Sequence, residues 1–374
     1  MKKSLFLASF LVVILAASCF AIGAGVGVRA MGMGGTGIAT ANDITASYFN
    51  PAGLMYGPEN FEFQTFAGGA TAGINDIQSM ASDTTKFLED TYSNDINVGG
   101  SLSVGIGGSV KKVGLSVFAD PAVHLDHTAN TLAYSANVTG MGYVPLTLGS
   151  TFSTPGLPIA TMSVGVNLKA IAMINASANA HQTSIVTGEG SMSVSSGSGF
   201  GFDIGAQAKV TPFVTVGAVI RNLSASTNVV TKTKNITVNP DPTDPTKAVV
   251  IEGPETETKT TYIPAPETGI GAGFIVPITG TLIACDLENY SMPEDGNLNK
   301  SASYSDTHIG IEQGLLFNTV MLRLGYFTFG PTEDTFYTYG LGINMGPVSI
   351  GAAAANSSLD SVNSMAMAQI GASF

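Results

Sequence analysis

The sequence predicts an all-β fold, an antiparallel transmembrane β-barrel, and three observations carry that expectation. Lys2 and Lys3 precede an apolar run from Leu5 to Ala17, and small Ala21 follows, the layout of an export leader. Charged residues make up 11% of the chain, against about 25% in soluble domains, and mean hydropathy is +0.29. Beyond the leader, however, no apolar run reaches the roughly 18 residues that a membrane helix needs. Instead, segment after segment alternates with period two, which spreads lipid-facing residues over every other position.

Taken in order, residues 1–21 are the signal peptide, whose apolar run is too short for a comfortable helical span. Lipoprotein-type cleavage before Cys19 in "LAASC" is the alternative processing. Cleavage after Ala21 leaves Cys285 as the one cysteine, so neither an intrachain disulfide nor a thiolate cluster is expected. Cys285 reads as a small buried or lipid-facing residue.

The next stretch, "RAMGMGGTGIATANDITASYFNPAGL" from Arg29 to Leu54, is glycine-rich and ends on a turn fixed by Asn50-Pro51. It lacks what a phosphate loop requires, namely a preceding strand, a following helix and a Gly-Lys-Ser/Thr. A coil whose backbone packs closely on other backbone is the expectation.

Strands are expected near residues 59–67, 96–109, 111–121, 129–138, 143–153, 160–179, 199–211, 213–223, 260–275, 280–291, 304–317, 319–329, 335–346 and 347–356, with a last one from 362 to Phe374. Bacterial barrels have even strand numbers, which makes the expectation about 14. In "GFDIGAQAKV" the residues Phe202, Ile204, Ala206 and Ala208 share one face, opposite Asp203, Gln207 and Lys209. The same alternation sets Lys169, Arg221, His308, Glu312 and Arg323 apart from their apolar neighbours, and Asp286 and Glu288 apart from Cys285 and Leu287. On each of these strands the charged face also carries glycine. That combination suits a lumen, where charges pair and small residues leave room, better than a soluble surface. Two stretches break the rhythm: residues 74–94 have helical spacing, and residues 225–260 read as a long extracellular loop or a projecting hairpin.

The segment "GVGVRAMGMGGTGIATANDITASYFNPAGL" resembles the N-terminal region of FadL-like outer-membrane proteins, a superfamily that includes long-chain fatty acid transporters, TraF-like proteins and the barrels of type IX secretion. "FDIGAQAKVTPFVTVGAVIRNL", "IACDLENY" and "HIGIEQGLLFNTVMLRLGYFT" are similar to strands of the same group. The resemblance implies a 14-stranded barrel with residues 22–55 folded inward as a plug and residues 56–374 as the wall. It places Gly32, Gly34, Gly35, Asp43, Asn50, Pro51 and Ala52 in the plug motif, with Arg29 and Asp43 available to pair with wall residues such as Arg221, Arg323 or Glu312.

Other chemistries find little support. His124 and His127 in "HLDH" lack a third ligand close in sequence, so no metal is expected, and neither a cofactor motif nor a nucleophile motif is identifiable. A net charge of −12 argues against a nucleic-acid partner. The expected partners are outer-membrane lipid and a hydrophobic or amphipathic small molecule moving passively through the barrel. The alternative is an assembly, secretion or conjugation accessory whose extracellular loops dock proteins.

Overall fold

A computed structural model describes residues 26–58, 60–71, 96–110, 112–127, 131–153, 161–184, 187–243, 247–294, 297–330, 333–358 and 365–374. The expected leader and the helical insertion expected over 74–94 lie outside them. Fifteen strands follow in chain order: β1 Glu62–Thr71, β2 Ile96–Val110, β3 Val113–His127, β4 Tyr134–Phe152, β5 Thr161–Ser184, β6 Thr187–Lys209, β7 Val214–Pro240, β8 Ala248–Tyr262, β9 Glu267–Ile275, β10 Leu282–Glu294, β11 Asn297–Leu315, β12 Val320–Phe329, β13 Asp334–Met345, β14 Val348–Ser357 and β15 Met365–Ser373. Neighbouring strands pair antiparallel, β1 pairs with β15, and β7 pairs with both β6 and β9. The result is a closed barrel of fourteen strands with β8 outside it.

The alternation resolves into two faces. Val164, Val166 and Leu168 on β5, Phe202 and Ile204 on β6, Ile270 on β9 and Leu322 and Leu324 on β12 all point outward and are exposed. Asn167, Lys169, Asp203, Gln207 and Glu312, at the intervening positions, are buried. A closed barrel with an apolar outer band is the outer-membrane architecture, because closure satisfies every backbone group without water. Cys285 takes the exposed, outward position of its two expected settings. Short turns such as 316–319 and 346–347 close one end, the periplasmic end by the usual asymmetry of such barrels.

Several strands begin earlier than the sequence expectation, as β6 does at Thr187 and β11 at Asn297, and two segments differ from it in kind. Of the strands expected separately over 129–138 and 143–153, the described part falls on the single β4, Tyr134–Phe152; Gly140 and Gly142 stay in the ladder opposite Ile174 and Ala172 of β5. Residues 225–260, expected as a loop or a projecting hairpin, form the hairpin. The lower part of β7 pairs with β9 from Val214↔Phe274 to Arg221↔Glu267, and the upper part pairs with β8 from Thr227↔Tyr262 to Pro240↔Ala248. Between them Asn222 and Ser224 both take a φ of 59°, and the register against β6 shifts, as at a β-bulge. Opposite lies Ile263-Pro264-Ala265-Pro266, whose prolines have no N–H to give to a ladder. Thus β8 ends there and β9 resumes at Glu267.

Strand length follows the same division. β5, β6 and β7 run to 24, 23 and 27 residues, whereas β9 and β15 have 9 each, about what a tilted strand needs to cross. The long sector projects from the outer end and carries its own apolar cluster of Leu132, Ala136, Ala178, Ala180, Ile236, Val238, Ala248 and Val250. On the hairpin, Lys232 and Lys234 pair with Glu255 and Glu252 at 2.9 and 2.7 Å. The hydrogen bond between Lys232 and Glu255 raises the lysine pKa and lowers that of the carboxyl.

Candidate functional site

Residues 26–57 lie inside the barrel. Their regular structure is slight: α1 Val28–Gly32, α2 Ala46–Phe49 and a 3-10 turn over Pro51–Tyr56. Such short turns leave most backbone groups unsatisfied within the segment, and the wall takes up many of them. Asn50 is fully buried. Its Oδ1 accepts from the Ala52 N–H at 3.1 Å, which caps the turn that Pro51 opens. Its Nδ2 donates to the carbonyls of Ile38, Ala206 and Ala218 at 2.8, 3.1 and 3.4 Å. One amide thereby ties two pieces of the segment to β6 and β7. The approach is possible because Gly205 and Gly217 face it: a side chain on Gly205 would occupy the position of the Asn50 amide oxygen.

Further anchors follow around the wall. Asn167 donates to the Ser47 carbonyl at 2.7 Å and to Asp203 at 2.9 Å, and Lys169 pairs with Asp203 at 2.6 Å. Ser163 donates to the Ala52 carbonyl at 3.0 Å, and the Gln207 amide donates to the Ala39 carbonyl. Arg221 donates to the carbonyls of Tyr48 and Phe49 at 3.0 and 3.2 Å while pairing with Glu288 at 3.0 Å and Glu267 at 3.5 Å. One carboxylate oxygen of Asp286 accepts from the N–H groups of Gly37 and Ile38 at 2.6 and 2.8 Å. His308 Nδ1 donates to the Gly34 carbonyl at 2.8 Å, since a carbonyl can only accept. Thr338 accepts from the Gly34 N–H at 2.9 Å and donates to the Gly32 carbonyl at 3.2 Å.

Arg29 pairs with Glu312 at 2.9 Å, and Arg323 donates to the same carboxylate at 2.7 Å. Asp43 accepts from Thr45 N–H and hydroxyl within its own turn. Of the two segment charges expected to meet the wall, then, Arg29 makes the ion pair and Asp43 closes a local turn. The local bond wins because an Asp side chain two residues before a free N–H reaches it without leaving its own loop. Gly34 has a φ of 66°, and a Cβ there would strike the Tyr326 carbonyl, so this position requires glycine. Gly35 has a φ of 82°, whereas Gly32 lies against Gly340 and Arg323. Lys209 stands over the Tyr56 ring at 4.3 Å near the periplasmic end.

Sequence reasoning missed the other half of the lumen. Phe66, Phe118, Phe327, Phe336, Met365 and Met367 turn inward and pack with Met31, Ile44, Phe49 and Leu54 of the inner segment in one apolar cluster. Phe327 and Phe336 stack at 4.8 Å and 5°, and Phe66 and Phe118 at 6.2 Å and 25°. A signal was present: "YFTF" carries aromatics on both faces of β12, and the tail alternation leaves Met365 and Met367 opposite the outward Ile370. The side chains of His124 and His127 on β3 lie outside the described residues, and His181 is exposed. Among the described residues no cluster of His, Cys, Asp or Glu could hold a metal ion.

The chain therefore has a lumen that is polar and ion-paired along β5–β7 and β9–β12, lined mainly by aromatic rings and methionines along β1, β3 and β12–β15, where Glu62, Gln64, Ser116, Thr338 and Gln369 are among the polar exceptions, and filled by its own N-terminal segment. No protein-family model matches the sequence, and neither does any curated protein. Solved structures do. The Ralstonia pickettii toluene transporter TbuX aligns over 95% of this chain and 100% of its own, at 13% identity and a TM-score of 0.62. The CymD monoaromatic hydrocarbon channel aligns over 94% and 98%, at 13% and 0.61. A Pseudomonas aeruginosa FadL homologue aligns over 96% and 98%, at 10% and 0.54. The fold is that of the FadL-like barrels.

Proposed function

We propose that this chain is a passive outer-membrane channel for hydrophobic small molecules, closed in the described state by residues 26–57 acting as a plug. The observation that carries this reading is the divided lumen. Aromatic and methionine side chains offer an apolar molecule contacts of the kind that line ligand sites, while buried ion pairs on the opposite wall position the plug. The structural neighbours, which include toluene transporters and a monoaromatic hydrocarbon channel, support the same substrate class. The barrel needs no catalytic group for this task.

Deleting Ile22–Leu54 tests it. The wall strands close on one another without the segment, so the shortened protein is expected to insert, to keep the heat-dependent electrophoretic shift of a folded barrel, and to conduct ions across a planar bilayer far better than the full chain. Equal conductance from a folded deletion would overturn the plug assignment. The projecting β7–β8 hairpin favours the second reading, an accessory that docks protein partners. A stoichiometric protein copurifying through residues 225–262, with no effect of the barrel on hydrocarbon uptake, would establish that reading instead.

A further inference from the structure

The plug meets the wall in two different ways. Along β5–β7 and β10–β13 it is fastened by the hydrogen bonds and ion pairs of Asn50, Ser163, Asn167, Arg221, Asp286 and Glu312. Against β1–β3 it meets a groove. The inward positions of β2 are Gly105, Gly107 and Ser109, and pairing sets each between residues of β1 and β3: Phe66–Gly105–Phe118, Gln64–Gly107–Ser116 and Glu62–Ser109–Gly114. Ile44 lies over Gly107 and Leu54 over Gly114, while the rings of Phe66 and Phe118 close over Gly105. Tyr48 packs edge-on against Phe118 at 6.1 Å. Gln64 Nε2 and Ser116 Oγ, on residues 4% and 1% exposed, face this groove without a hydrogen-bond partner among the described residues.

We infer that hydrophobic cargo passes the plug along this glycine-floored groove, with Phe118, between Tyr48 and Phe66, as the side chain whose bulk sets what passes. The inference rests on the transport reading above. Opening the fastened side would strand buried donors and acceptors, which is costly in a medium of low dielectric. Opening the β1–β3 side mostly exchanges one apolar contact for another, with the cargo taking the place of Ile44 and Leu54, and gives up one plug–wall hydrogen bond, from the Ile44 backbone to the buried Glu62 carboxylate, against the many on the fastened side. Glycines leave the groove floor without side chains, so small displacements of Ile44 and Phe118 clear a path. The unpaired amide of Gln64 and hydroxyl of Ser116 require no bond to be broken first.

The test is the initial rate at which intact Gram-negative cells producing the full-length protein take up radiolabelled toluene; their outer glycolipid leaflet is the barrier. Phe118→Trp is expected to slow uptake several-fold and Phe118→Ala to speed it several-fold, each with the heat-dependent electrophoretic shift preserved. Opposite signs at one position distinguish steric gating from general damage. Ile44→Ala, on the plug side of the groove, is the second variant and is expected to speed uptake. Wild-type rates from folded Phe118→Trp and Ile44→Ala proteins would overturn the groove as the route. A wild-type chain that takes up toluene no faster than cells lacking it would remove the transport reading and this inference together.

Discussion

The two walls of the lumen solve opposite problems with the same strand geometry. Along β5–β7 and β9–β11 the inward positions hold Lys169, Asp203, Arg221, Asp286, Glu288 and Glu312, and nearly every one reaches either another wall charge or the plug backbone. Along β1, β3 and β12–β15 aromatic rings and methionines predominate, although Arg323 on β12 joins the ion pair of Glu312 and Glu62, Gln64 and Ser116 are also buried there. A buried charge is tolerable only with good partners, so the polar wall is specific: it fixes where the plug sits. Apolar packing is less directional, so the other wall accommodates different occupants. On the proposed transport reading, position and passage fall to different sides of one barrel.

Arg221 offers the largest break in that comparison. Arg221→Met leaves Glu288 and Glu267 without their cation and the carbonyls of Tyr48 and Phe49 without a donor. The expected loss is about 3–5 kcal/mol, the cost of removing one partner of a buried pair, measured by urea unfolding in lipid vesicles. A smaller loss in Arg221→Met/Glu288→Gln would show that the stranded charge causes most of it. No change in the single variant would mean that the polar wall does not hold the plug.

The outward face provides the next. Ile204→Arg is expected to cost about 2–4 kcal/mol if it lies near the bilayer midplane. Gln207, three residues on and buried against the plug, should respond differently: Gln207→Ala should loosen the plug, seen as faster proteolysis of residues 26–57, while vesicle insertion is unchanged. Matching insertion defects in both would reverse the assignment of faces.

Gly34 gives the smallest effect, yet it is the most local. Gly34→Ala places a Cβ against the Tyr326 carbonyl at a left-handed backbone angle, a strain of about 1–3 kcal/mol. The expected readout is a raised single-channel open fraction with barrel stability unaltered. An unchanged open fraction would show that the α1 turn can shift without moving the plug.

Much of this was legible in the sequence for a specific reason. Period-two alternation is a local property, so the faces of "GFDIGAQAKV" and "TVMLRLGYFT" could be assigned from neighbours alone. The inward Lys169, Asp203, Gln207, Arg221, His308, Glu312 and Arg323 lie on strands whose charge and glycine share a face, and Asp286 and Glu288 alternate with the apolar Cys285 and Leu287 on β10. The β7–β8 hairpin was less legible, because Thr-, Pro- and Asp-rich sequence carries turn signals even where register pairing holds it as strand. The pairing of Asp43 with its own Thr45, and of Arg29 with Glu312 283 residues away, could not be separated by composition, since both side chains are single charges in one polar segment.

The amino-acid sequence by itself determined that the chain builds antiparallel strands with one apolar face, carries few charges, and holds ahead of its strands a glycine-rich stretch unable to form a long helix. Those are consequences of side-chain period and backbone freedom, which act over a few residues. Only the tertiary structure decided that β2 presents its glycines between Phe66 and Phe118, that the polar anchors gather on the opposite side, and that one strand stands outside the barrel. Each of these depends on register between strands distant in sequence, and register is fixed by closure of the whole sheet.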